Sequence, residues 1–220
     1  MPQAIALDGT VRQFQRLIGQ KFLTGEKYGS YNNEQILLGL GIEIGNVMET
    51  VRKDKRREES KLPGQLVRVY GWWNVFADRC GIDLQEVLWW KYPAACTYCL
   101  KDKDCMCGTE HPHVPNKELV LRGLRADRTK EPVSLSGHQM LHKRLYGWQN
   151  DRLVPFQIAA HLAEEFGEVS LELLDGDKES LGDELADIGS WIFALANRFG
   201  YQMSDLVAGQ LTKLLEPQNV

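Results

Sequence analysis

Two pairs of acidic residues, Glu165 with Glu168 and Glu184 with Asp187, are the side chains of this 220-residue sequence best suited to act together in chemistry. Each pair is spaced i,i+3, which on a helix brings the Cβ atoms to roughly 5–6 Å of one another. Carboxylates that close repel and raise each other's pKa, and a hard divalent cation relieves the repulsion. Magnesium accepts carboxylate oxygens while keeping positions for water and phosphate. A pair of such ions about 3.5–4 Å apart can activate a water and neutralise a leaving group. A single such pair also occurs on ordinary solvated helix faces, so it is the matched pairs on consecutive helices that single these residues out.

The elements that must position them span Phe156 to Phe199. In the first, Ala159, Leu162, Phe166, Val169 and Leu173 recur at about 100° per residue, with Glu165 and Glu168 just off one edge of the stripe. In the second, Leu181, Leu185, Ile188, Ile192, Leu195 and Phe199 form the equivalent stripe, and Glu184 and Asp187 take the same angular offset. The short DGDKES connection makes the two helices antiparallel neighbours, so the four carboxylates are expected to converge. Glu164 points about 100° away from Glu165 and stands apart from them. His161, one turn before Glu165, either reaches the outer shell of a metal or is a partly exposed helix histidine, the commoner case.

The pattern Glu164-Glu165-x-x-Glu168, then Glu184-x-x-Asp187, then a long apolar helix ending in LANRFG, resembles the MazG-like all-α nucleoside triphosphate pyrophosphohydrolases. The resemblance implies an all-α fold in which Glu165, Glu168, Glu184 and Asp187 hold Mg²⁺ and an NTP or dNTP is hydrolysed to the monophosphate and pyrophosphate. It further implies a dimeric assembly. Family members often carry a lysine ten residues after the glycine that closes the third helix; counted from Gly200 this is Gln210, and counted from Gly81 it is Lys91. Lys213 and Arg198 are candidates for phosphate contact and Trp148 for stacking on the base. Trp191, one turn after Asp187, is matched by a tryptophan elsewhere in the chain, which favours packing over a base-pocket role.

That match belongs to an internal repeat. With Gly81 set against Gly200, QLVRVYGWWNVFADRCG and ELADIGSWIFALANRFG align without a gap, pairing Leu66 with Leu185, Trp72 with Trp191, Ala77 with Ala196 and Arg79 with Arg198. Upstream, IEIGNV matches EEFGEV. The first copy has Glu43, Asn46, Gln65 and Arg68 where the second has Glu165, Glu168, Glu184 and Asp187. Three carboxylates are missing there and a cation replaces one of them, so the first half is expected to keep the bundle without holding magnesium. Such a tandem chain is either a homo-oligomer or an intramolecular pseudo-dimer with one working site.

Between the copies, Cys96-x-x-Cys99 and Cys105-x-Cys107 form a tight double chelate in a stretch with little helical periodicity. A structural Zn²⁺ on four thiolates would let such a segment hold a shape without a core. Free thiols or a redox pair are the alternatives, and His111 or His113 stands close enough in sequence to replace one cysteine. Cys80 reads as a core residue.

The expected organisation is an all-α protein with a first helical unit at 1–92, a cysteine-rich insert at 93–117 and a second helical unit at 118–220. Helices are expected over Val11 to Phe22, Glu34 to Lys53, Gln65 to Cys80 and Leu135 to Tyr146, with another beginning at IDLQEVLWW; Gly81 reads as a C-cap and Asp83 as an N-cap. Glu118 to Lys130 reads as a short mixed segment, GWQNDRLVP as a loop and RKDKRREESKLPG as a solvated connection. A hydrophobic content of 43% suits a globular protein. No apolar run approaches the roughly 18 residues of a membrane helix, and the N-terminus lacks a secretory pattern, which points to the cytoplasm. A formal charge of -4 argues against nucleic acid as the main partner. The sequence thus reads as a nucleotide pyrophosphohydrolase, or alternatively as a catalytically reduced nucleotide sensor or scaffold docking a partner through the cysteine module.

Overall fold

The structure is a computed structural model that describes residues 9–25, 29–53, 61–107 and 112–215. Residues 54–60 of the charged connection, and His111, lie outside the described residues.

The described residues form helices and no strand, as the periodicities require. Helix α1 (Val11–Leu23) opens on a reciprocal Thr10–Gln13 capping box. Helix α2 (Asn33–Lys53) follows Asn32, whose side chain accepts from the Gln35 N–H at 2.9 Å while Gln35 Oε1 accepts from the Asn32 N–H at 3.0 Å. Helix α3 (Leu62–Arg79) has proline in its first turn, where a missing N–H costs no hydrogen bond. Helix α4 (Leu84–Lys91) is capped by Asp83, which accepts from the N–H groups of Gln85 and Glu86. After the cysteine segment come α5 (Lys117–Ala126) and a single 3₁₀ turn (Arg128–Lys130). Helix α6 (Leu135–Asn150) begins at the Ser134 cap. Helices α7 (Pro155–Asp175) and α8 (Lys178–Arg198) are joined by Gly176, at φ 75°, and the N-cap Asp177. Helix α9 (Met203–Leu215) closes the chain.

Two segments differ from the sequence reading. The stretch from Gly147 to Asn150 continues α6, because nothing that breaks a helix intervenes before Pro155. The mixed segment after Lys117 folds as α5, a ten-residue helix in which Leu121 is buried while Leu119 and Val120 stay exposed.

Antiparallel pairs α2–α3 and α7–α8 stack on each other, α2 against α7 and α3 against α8. Helix α1 covers α3, and α6 covers α8 in the corresponding way. The short helices then cross over: α4 packs on α8, and α9 packs on α3. The buried residues of both halves accordingly form one cluster, from Phe14 and Trp73 through Leu162 to Phe193. At its centre the indole N–H of fully buried Trp73 donates to the Leu185 carbonyl at 2.8 Å. The positions aligned in the repeat share a cap geometry as well. Gly81 and Gly200 sit at φ 65° and 72°, and the next residues donate backward, Ile82 to Ala77 at 2.8 Å and Tyr201 to Ala196 at 2.9 Å.

Close approach of the halves depends on a missing side chain. A Cβ at Gly189 would lie 2.8 Å from the Trp73 ring and 3.1 Å from Leu88. Helical Gly→Ala substitutions ordinarily stabilise, and Gly45, with nothing among the described residues within 4 Å of its Cβ position, should follow that rule by about 0.5–1 kcal/mol. Gly189→Ala should instead destabilise by about 1–3 kcal/mol through overpacking. Urea unfolding of the two variants beside the parent checks the opposite signs.

Candidate functional site

Helices α7 and α8 bring Glu165, Glu184 and Asp187 together, so that one carboxylate oxygen of each lies within 4.8 Å of the others. Their antiparallel register sets Glu165 toward Asp187, and Glu168 toward Glu184. Glu168 is exposed and stays outside that three-residue group, at its rim against Glu184. The convergence expected of four carboxylates is thus reached by three.

Each of the three is held by a specific neighbour or left without one. Glu165 accepts at Oε1 from the Trp191 indole N–H at 3.0 Å. Trp191 in turn stacks on His161, ring centroids 4.6 Å apart, and His161 pairs through Nδ1 with Glu164 at 2.9 Å. His161 is therefore engaged away from the three-carboxylate cluster. Asp187 is the most enclosed, with a side chain 19% exposed. Its Oδ1 accepts from the Tyr92 hydroxyl and its Oδ2 lies 3.0 Å from the Lys91 ammonium. Glu184 keeps one buried oxygen with no hydrogen-bond partner among the described residues. A buried carboxylate oxygen without a donor is costly, and a bound cation or a retained proton relieves the cost.

Charge and burial shift these groups strongly. Burial, then Asp187, push Glu165 up to about 7. Burial, then Asp187, push Glu184 up to about 8. Burial also raises Asp187, against the opposing pull of Lys91 and Tyr92. Lys91 is held above its ordinary value because Asp187 and Asp183 outweigh the burial that would lower it.

Lys91 and Tyr92 come from the first half, at the end of α4, where that helix crosses onto α8. Sequence reasoning placed Lys91 at the family's lysine position but not in the other copy's site; the crossing of α4 supplies that link. The corresponding place in the first half is filled from within. Arg68 Nε lies 2.9 Å from Glu43 Oε2, and Asn46 Nδ2 donates to the same oxygen at 3.1 Å. Arg68 stands where Asp187 stands in the second half, so this position carries its own cation. A cavity of about 310 Å³ beside it is lined by Glu43, Arg68, Trp72 and Gln210, the residue aligned with Lys91.

The three candidate substrate contacts sit on three different helices. Trp148, on the last turn of α6, has its ring covered by the Arg152 guanidinium at 3.1 Å. Arg198 is exposed on the last turn of α8, about 16 Å along the axis from Asp187. Lys213 is on α9, which packs on α3 and α6.

Cys96, Cys99, Cys105 and Cys107 form a second group whose sulfurs all lie within 4.8 Å of one another. Measured separations are 2.9 Å for Cys105–Cys107, 3.2 Å for Cys105–Cys96, 3.6 Å for Cys99–Cys105 and 3.7 Å for Cys96–Cys107. A tetrahedron with Zn–S bonds of about 2.3 Å has edges of about 3.8 Å, so small outward shifts accommodate the ion. The Tyr98 N–H also donates to Cys96 Sγ at 3.4 Å. The group can hold a metal such as zinc. His113 is exposed and outside it, and Cys80 packs half-buried against the main core.

Glutamates that titrate near 4.5 when unfolded and near 7 and 8 when folded retain protons that the unfolded chain has lost. The stability they confer is complete below about 4.5 and is lost as pH rises through their folded values. Magnesium, binding the charged folded form, should restore stability at the top of that window. Without metal the melting temperature should therefore fall between about pH 5 and pH 8.5, and millimolar Mg²⁺ should raise it at the upper pH but not the lower. Thermal melts across pH, with and without Mg²⁺, check this; a magnesium effect independent of pH would contradict it.

Comparison with protein-family models, with curated proteins and with solved structures gives no match to this chain.

Proposed function

We propose that the chain is a magnesium-dependent nucleoside triphosphate pyrophosphohydrolase of the MazG-like type, converting an NTP or dNTP to the monophosphate and pyrophosphate. The observation that carries this reading is the half-buried cluster of Glu165, Glu184 and Asp187, with an unpartnered oxygen on Glu184 and with Lys91 delivered to it by the other half. Hard oxygen donors with more negative charge than Lys91 offsets are what magnesium requires, so the residues fit the ion. When bound, it supplies neutralisation of phosphate charge and a water of lowered pKa.

The remaining work falls to side chains of the chain itself. Glu165, pushed up to about 7 and fixed at one oxygen by Trp191, is suited to take the proton of an attacking water near neutral pH. Glu184 and Asp187 bind the ion, with Glu168 joining from the rim. The Lys91 ammonium, already 3.0 Å from Asp187, offers a fixed positive charge to phosphate oxygens as negative charge builds on them. In this reading the two halves are a MazG-like tandem repeat folded as an intramolecular pseudo-dimer, the first half's position is closed by the Arg68–Glu43 pair, and the four cysteines hold a structural zinc. The partner is a nucleotide in the cytoplasm. Among the described residues no helix is long and apolar enough to cross a membrane.

The closed first position also favours a second reading, a nucleotide-binding sensor with reduced catalysis. Pyrophosphate release across a panel of NTPs and dNTPs separates the two. Asp187→Asn and Lys91→Ala should each lower kcat/KM on the order of 100-fold. Glu43→Ala should leave the rate within about two-fold, because no group there is asked to stabilise charge in the transition state. Equal losses from Glu43→Ala and Asp187→Asn would overturn the one-site assignment, and no release from any nucleotide would leave the sensor.

A further inference from the structure

The thiols and the carboxylates, which the sequence separates, are joined through three tyrosines. Tyr92 donates to Asp187 Oδ1, and Cys96 follows only four residues later along a buried stretch. Tyr146 packs edge-on to Tyr92 at 5.8 Å. Burial, then the neighbouring Cys96 and more weakly Asp187, hold its hydroxyl well above the ordinary tyrosine value. Tyr98, between Cys96 and Cys99, interacts electrostatically with both Lys91 and Asp187. The second pair of thiols is tied to the same helix as Tyr146: the Asp104 N–H donates to the Arg144 carbonyl at 2.9 Å and the Cys105 N–H to that of Leu145 at 2.8 Å. Ala94, Leu100 and Asp104 in this segment all hold the left-handed backbone conformation, at φ 57°, 59° and 48°. Residues without glycine's freedom keep that conformation only where their surroundings impose it.

We propose that a metal held by the four cysteines is the anchor that fixes Tyr92 and Lys91 against Asp187, so that losing it weakens divalent-cation binding at the carboxylates. The inference rests on the reading of Glu165, Glu184 and Asp187 as a divalent-cation site. Lys91 is the last residue of α4 and Tyr92 its C-cap, whose N–H donates to the Leu88 carbonyl at 3.0 Å, so both stand where the helix hands over to the cysteine segment. Beyond them, cross-linking of Cys96 to Cys105 and Cys107 through one ion ties the end of α4 to the end of α6, and α6 packs on α8. Tyr92 then presents its hydroxyl to one Asp187 oxygen in a constant pose. Partners that orient a metal ligand from behind typically change metal affinity or activity by about 10–100-fold when removed. A cysteine module acting only as a distant staple predicts no change at the carboxylates.

The test uses the full chain. Zinc content and the charge-transfer bands of the Co²⁺-substituted protein report the thiolate site, and the electron paramagnetic resonance signal of free Mn²⁺ reports uptake at the carboxylates. Cys99→Ser should lose the thiolate metal and bind Mn²⁺ about 10-fold or more weakly. Tyr92→Phe should keep the thiolate metal and the parental melting curve yet show a similar loss of Mn²⁺ affinity, and the double variant should be no weaker than the worse single one. Should Cys99→Ser fail to fold, Tyr92→Phe decides. Parental Mn²⁺ affinity in Tyr92→Phe, or a parent with no zinc and four freely titratable thiols, overturns the anchor. A parent that takes up no Mn²⁺ overturns the carboxylate reading itself, and the anchor with it.

Discussion

Several negative charges withdrawn from water at one place are the constraint to which the rest of this molecule answers. Glu165, Glu184 and Asp187 are brought together by the same helix pairing that buries the core stripes of α7 and α8, so the chain cannot pack those stripes without crowding the acids. Each half resolves the problem differently. In the first, substitution has put Arg68 into the position itself, and its guanidinium meets Glu43 at 2.9 Å. In the second, the positive charge is held at arm's length: Lys91 arrives on another helix, 3.0 Å from Asp187 and 3.8 Å from Asp183, and an oxygen of Glu184 stays without a partner among the described residues. The first position thus carries its own cation, whereas the second is compensated only in part.

Much of this was legible in the sequence because it is written in local spacing. The 3.6-residue stripes of α7 and α8, the i,i+3 acids beside them and the short link through Gly176 and Asp177 specify an antiparallel pair with acids on one flank. The cysteine spacing likewise announced a chelating group, and Gly81, read as a C-cap, takes a left-handed turn that its aligned position Gly200 shares. The placement of Lys91 and Tyr92 was not legible in this way. It follows from α4 packing on α8 as well as on α1 of its own half, a choice made by surface fit such as Val87 against Gly182 and Leu88 against Gly189, and no periodicity records it. Helix α5 was missed for a different reason: it is only ten residues long, and its apolar positions Leu119, Val120 and Leu121 run consecutively with only the last one buried.

The substrate-contact candidates show the limits of residue type as a guide. Trp148 has the aromatic face a base would use, but Arg152 already covers it, a local cation–π contact between residues one turn apart. Arg198 repeats Arg79, whose guanidinium holds the Tyr31 carbonyl at 2.6 Å, a role in joining α3 to the loop ahead of α2. Tyr92, by contrast, looks like one more apolar residue in an irregular stretch, and its importance comes entirely from where its hydroxyl is carried.

The exchange of α4 and α9 between halves has a consequence for how the site comes into being. In a dimer of single units, a lysine supplied by the neighbouring chain arrives only when two molecules meet, and the completed site is diluted away as they part. Here Lys91 and the carboxylates it faces are stretches of one polypeptide, so their encounter is governed by the effective concentration that the intervening chain imposes. The meeting of Lys91 with Asp187 is thereby an event within one molecule, set by its fold and not by how many copies are present.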